Sequence, residues 1–163
     1  MTLLEIVLAG TLAAALTGSL HVVLIGCGTA AAELSGEQDA LRQADNTLRF
    51  LVRRCREAEA VTAIDGDGRG FTIAVGGGET LGFRLVDFMA GVVLNVFDSA
   101  AGTNRTLNDR VTSFAPRFYE ADAVTPTADP AAARVIEITL TVDLPRDHAP
   151  GRTVSSRVWV RRW

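Results

Sequence analysis

Three places in the chain hold residues whose types and spacing could do chemistry. The first is Asp65-Gly66-Asp67-Gly68-Arg69-Gly70, which alternates acids with glycines in the manner of a calcium-binding loop. Such a loop needs an oxygen ligand at its fifth place and a bidentate acid at its twelfth. Those places hold Arg69 and Gly76, so the match fails and the stretch reads as a glycine-rich hairpin turn. The second is His148, between Asp147 and Ala149 in a loop with Pro145 and Pro150. A catalytic imidazole needs a nucleophile and an orienting partner, and the neighbouring residues identify neither. Cys27 and Cys55 lie in no recognisable nucleophile context, and Gly76-Gly77-Gly78 lacks the Lys-Ser/Thr of a phosphate loop. Two cysteines are too few for a disulfide framework or a zinc site. The expectation is a protein that is not an enzyme, with no catalytic residue, no metal ligand and no cofactor.

The third place is Glu5, an acid standing directly before a long apolar block. From Ile6 to Ala32 no side chain is charged, and His21 is the only strongly polar interruption. As a helix that block spans ~40 Å, enough to cross a hydrocarbon core of ~30 Å with some tilt. The mean hydropathy of +0.22 over 163 residues is concentrated in this block. Removing it leaves a globular remainder from about Glu33 to Trp163. That split excludes a fully soluble cytosolic enzyme and a disordered chain. A net charge of -3 gives nucleic-acid or anionic-membrane binding no electrostatic support, and all sixteen basic residues are arginine.

The apolar start admits three readings. A secretory signal peptide would suit Ala30 to Ala32 as a cleavage region, but its n-region should be basic, and the only ionisable side chain near the start is Glu5. A lipoprotein signal would use Leu24-Ile25-Gly26-Cys27, which resembles a lipobox; the early acid again fits badly. The third reading starts from the acid. A carboxylate costs roughly 2.5–3.5 kcal/mol at a bilayer centre, so Glu5 calls for a cation, and the nearest is an N-terminal amine, its own or a neighbour's. Without such a partner, Glu5 is simply a first-turn acid that complements a helix dipole.

A hydrophobic position, an acid at the fifth residue and then about twenty apolar residues form a pattern. Met1-Thr2-Leu3-Leu4-Glu5-Ile6 resembles the start of a mature type IV pilin or type II secretion pseudopilin. In that family a prepilin peptidase removes a short basic leader and the new N-terminus is N-methylated. The resemblance implies that Met1 is the processed, methylated residue. It also implies that Glu5 pairs with the Met1 amine of an adjacent subunit, setting filament register. Gly10, Ala14, Gly18 and Gly26 fall at separations that are multiples of four, a spacing that lets helices pack closely; an alanine- and glycine-rich composition would produce the same spacing. Gly18, Gly26 and Gly28 are candidate sites for local stretching, since each glycine weakens a helix by ~1 kcal/mol relative to alanine. The proline common in that part of the family is missing. His21 reads as a packed or interhelical polar residue rather than a ligand.

Further along, Leu34, Leu41, Leu48 and Cys55 recur at heptad spacing with Ala44, Leu51 and Ala58 beside them, the stripe of an amphipathic helix. If one helix joins Cys27 and Cys55 they stand ~42 Å apart, which excludes a bridge within the chain. Gly36 is the expected place for a bend. Strands are expected at Phe71–Val75, Leu81–Leu85, Val92–Phe97, Arg110–Tyr119, Arg134–Leu144 and Thr153–Trp163, with a hairpin at Gly76-Gly77-Gly78 and Pro116 marking an edge or irregularity. Trp159 and Trp163 are expected on the inner face of the last strand, the alternative being that they pack on a neighbouring molecule. The fold class is therefore α+β: a long N-terminal helix packed on an antiparallel β-sheet head. Its divisions are 1–32 for the apolar helix, 33–63 for the amphipathic half and 64–163 for the head.

The order of these head elements, from Leu107-Asn108-Asp109-Arg110-Val111-Thr112-Ser113-Phe114 to Val158-Trp159-Val160-Arg161-Arg162, is similar to the head of J-type minor pseudopilins and W-type minor pilins. The resemblance implies a structural subunit that assembles from the bacterial inner membrane, head in the periplasm, into a periplasmic or extracellular filament. Its partners would be copies of itself or other pilin-like subunits, the inner membrane before assembly, and the assembly platform with its prepilin peptidase. The alternative is a single-pass or lipidated periplasmic binding module that never polymerises.

Overall fold

The computed structural model describes residues 2–89, 91–144 and 151–161. Contacts divide the chain into two compact units, Met1–Gln38 and Asp39–Trp163. One helix, α1 (Leu3–Glu57), supplies the whole of the regular structure in the first unit and the opening element of the second. Residues 18, 26, 28 and 36 are all helical, so none of these glycines unwinds it.

In the second unit, eight strands follow among the described residues. β1 (Ala58–Ile64), β2 (Gly70–Val75), β3 (Glu79–Phe88), β4 (Gly91–Asp98) and β5 (Thr103–Asn108) form an antiparallel sheet in sequence order. β6 (Val111–Tyr119), β7 (Val135–Val142) and β8 (Arg152–Trp159) form a second, also antiparallel. The chain is thus α+β, with a long N-terminal helix and antiparallel sheets, as expected. The β2–β3 turn carries Gly77 and Gly78 at φ of 86° and 82°, a backbone region open to glycine at little steric cost. Pro116 lies on β6, an edge strand, where its missing N–H breaks no inner ladder.

The core explains the alternation in the sequence. Ile136, Ile138, Leu140 and Val142 of β7 are buried while Glu137, Thr139 and Thr141 between them are not. Ala44, Leu48, Leu51 and Cys55 bring the helix into the same core. Phe71 joins the two sheets: its ring lies 5.3 Å from Phe83 on its own sheet and 6.0 and 5.6 Å from Phe114 and Phe118 on the other. One buried polar link ties helix to strands. Asn108, 1% exposed, donates through Nδ2 to Thr47 Oγ1 at 3.2 Å and accepts through Oδ1 from the Arg110 amide at 2.8 Å.

Four expectations are corrected. The helix stops at Glu57, and Ala58-Glu59-Ala60, good helix formers in isolation, open strand β1 instead of extending helix to residue 63. Pairing with β2 overrides the local preference there. Strand β5 is additional to the expected set: its Thr-Asn-Arg-Thr start is exposed throughout, so it has no apolar alternation to read. The apolar stripe of the helix is buried only from Ala40, and Leu34, in the first unit, is exposed. Trp159 lies on the outer face at 56% exposure, because Val158 and Val160 take the inward positions. Trp163, like Met1 and His148, lies outside the described residues.

Candidate functional site

The first unit is a helix whose every residue from 2 to 35 is exposed. Its start is built by the chain itself. Thr2 precedes the first helical residue and its carbonyl accepts from the Glu5 and Ile6 amides at 3.0 and 3.4 Å. Glu5 turns its side chain back, and Oε2 accepts from the Thr2 amide at 2.9 Å. This is the carboxylate half of a Thr-x-x-Glu capping box, an acid satisfying a donor that the helix leaves over and lying at its partially positive end. The geometry holds the Glu5 carboxylate over the first turn of the helix.

Beyond that turn the segment presents hydrocarbon on all sides. Leu8, Leu12, Leu16, Leu20 and Leu24 advance about 40° at each step of four residues, and Leu3, Val7, Val22 and Ile25 fill the remaining directions. Each of these side chains is more than half exposed. A helix that is apolar all round is a core or membrane element, and soluble monomers rarely leave a contiguous apolar patch beyond about 300–600 Å². The helix contains an 18-residue window of mean hydropathy 1.8, none of it buried, and is long and apolar enough to cross a membrane.

The hydroxyls in the segment are satisfied locally. Thr11, Thr17, Ser19 and Thr29 donate to the carbonyls of Leu8, Ala13, Leu16 and Gly26 at 2.9, 2.8, 2.9 and 3.0 Å. Back-bonding of this kind leaves none of these donors dependent on water. There remain the carboxylate of Glu5 and the imidazole of His21, which is exposed and makes no hydrogen bond to the described residues. A Cβ added at Gly10, Gly18 or Gly26 would meet nothing within 4 Å, so nothing inside the chain requires glycine there. Ala14, between the first two, is equally exposed.

Comparison with family models, with curated proteins and with solved structures returns no match for this chain.

The second unit places the other candidates. The two cysteines are free: Cys27 is exposed, and Cys55 is buried, which pushes its thiol up to about 12 and leaves it inert at neutral pH. The Asp65–Gly70 turn joins β1 to β2, and its acids are taken up by arginines. Arg84 reaches Asp67 at 3.2 Å and Asp65 at 3.6 Å, while Arg69 clamps Asp87 with two bonds of 2.6 and 2.7 Å. The Arg69 amide, bonded to Asp67 Oδ1 at 3.0 Å, is the main cause holding that carboxyl below its usual range. Among the described residues no three His, Cys, Asp or Glu gather as metal ligands. On the outer face of the three-stranded sheet, Glu137 accepts from the Tyr119 hydroxyl at 2.7 Å and from Arg157 Nε at 3.1 Å, and these two bonds hold its carboxyl low. These are surface ion pairs and assemble no reacting constellation.

Proposed function

We propose that this chain is a structural subunit, of the minor pilin or pseudopilin kind, in a type IV pilus-like or type II secretion filament. One observation carries the reading: a helix apolar on every side, with its hydroxyls bonded to its own backbone, that nonetheless holds a carboxylate at Glu5. In lipid or in a helical filament core that charge is strongly disfavoured until a cation meets it. The Met1 amine of an adjacent copy or of another pilin-like subunit supplies one. The Thr2 amide holds the carboxylate on the first turn, where an incoming amine finds it already oriented. The helix waits in the inner membrane and moves into the filament as helix–helix contacts replace lipid contacts; Gly10, Ala14, Gly18 and Gly26 permit close approach. Prepilin peptidase and an assembly platform supply the chemistry and work, so the subunit itself catalyses nothing.

The test is Glu5→Ala in cells that build the filament. Membrane insertion of the subunit stays at the wild-type level, and its amount in the filament fraction falls at least ~10-fold, the fall that ~1.4 kcal/mol of lost pairing produces. Glu5→Gln keeps an acceptor for the Thr2 amide and discards the charge; it fails in the same way if the ion pair is the working element. Unchanged incorporation of both variants would overturn the role of Glu5, and absence of the wild-type chain from the filament fraction would mean a single-pass or lipidated module that does not polymerise.

A further inference from the structure

The outer face of the five-stranded sheet carries a small trough that the filament reading does not use. Register aligns Thr72, Gly82, Phe97 and Asn104 in one row across β2, β3, β4 and β5, with Arg84 and Asn95 paired in the next row. These six residues line a cavity of about 360 Å³, near the lower end of small-molecule sites.

Two features of the trough have no explanation within the chain. Gly82 sits mid-strand without a positive φ, and a Cβ there would meet only Thr72 Oγ1 at 3.5 Å and Phe97 Cβ at 3.8 Å, ordinary contacts. The fold would accept alanine; a strand glycine that packing does not demand marks a place where something else comes close. Asn95 is 8% exposed, and its carboxamide oxygen is buried with no hydrogen-bond partner. Native structures leave few such groups, and a ligand donor is one remedy.

The lining specifies the ligand's chemistry. The Thr72 hydroxyl and the Asn104 carboxamide make no hydrogen bond to other described residues, and with Asn95 they offer donors and acceptors side by side, the complement of hydroxyl groups. Arg84 is paired with Asp65 and Asp67, so it offers no unmatched positive charge to an anion. Phe97, half exposed at the rim, offers an apolar surface for C–H groups. β2, β3 and β4 are each paired on both sides, so no partner strand can add there. We infer that this trough binds a neutral polyhydroxylated ring, a monosaccharide or the terminal sugar of a glycan. The inference stands whether or not the chain polymerises.

The experiment uses full-length, isotope-labelled protein in micelles of a detergent without a sugar headgroup. Glucose, galactose, mannose and N-acetylglucosamine are each titrated to ~50 mM, a range suited to millimolar Kd, and the Asn95 and Asn104 side-chain amide resonances are followed. At least one sugar shifts both. Gly82→Ala fills the floor and Asn95→Val removes the unpaired amide; each weakens binding about tenfold, with a thermal midpoint equal to or above wild type because neither change removes a native contact. Three results would overturn the inference: no shift with any of the four sugars, undiminished binding by both variants, or a lowered midpoint in Asn95→Val, which would make the amide a structural group.

Discussion

At the scale of single residues, charge is managed in two ways in this chain. In the second unit, carboxylates meet arginines or hydroxyls in water, where such contacts count for little individually. Glu137 is the most enclosed of these acids, held by Tyr119 and Arg157. Its carboxyl titrates lower in the folded chain than the ~4.3 of an unfolded one. The stability this contributes is therefore complete above that unfolded value and is lost as the pH falls through the folded one. Glu137→Gln cannot ionise, so its thermal midpoint falls less than that of wild type between about pH 5 and 3. A parallel fall in both proteins would refute that role. Glu5 is the other case: its side chain bonds only the Thr2 amide among the described residues, which leaves its charge to be met from outside.

At the scale of elements, the glycines of the apolar helix make a separable prediction. Alanine fits at positions 10 and 18 without contact, and each replacement strengthens an isolated helix by ~1 kcal/mol. Gly10→Ala with Gly18→Ala raises the helical content of the subunit in micelles, read by circular dichroism, and lowers its incorporation into filaments. Incorporation at the wild-type level would assign those glycines to composition alone. Most of this architecture is legible in the sequence because period-two and period-3.6 patterns are direct consequences of one-sided burial. β7 shows it best: its buried and half-exposed positions alternate from Ile136 to Val142. The pattern fails where burial does not set it. β5 is an exposed edge with no apolar face to alternate, and in Ala58-Glu59-Ala60 pairing with β2 overrides a local preference for helix. Trp159 reads as core because it is a large aromatic, but two neighbouring valines fill that space. The trough is not legible either, since Gly82, Asn95 and Phe97 come together only through register between strands.

At the scale of the whole molecule, the chain combines two kinds of surface. Met1–Gln38 exposes hydrocarbon that water does not favour, and Asp39–Trp163 encloses an aromatic and aliphatic core behind charged and polar faces. A chain built this way needs somewhere to put its first unit, and on the proposed reading that place is lipid and then a filament core. The proposed pairing depends on what the N-terminus is in the working protein, since it requires a free, processed Met1 amine to answer Glu5. The most direct measurement is the intact mass of the protein from the cells that make it, with a fragment spectrum of its N-terminus. The account predicts a chain that begins at Met1 and carries one added methyl group. A chain that begins at an acylated Cys27 would contradict it and make the protein a lipoprotein.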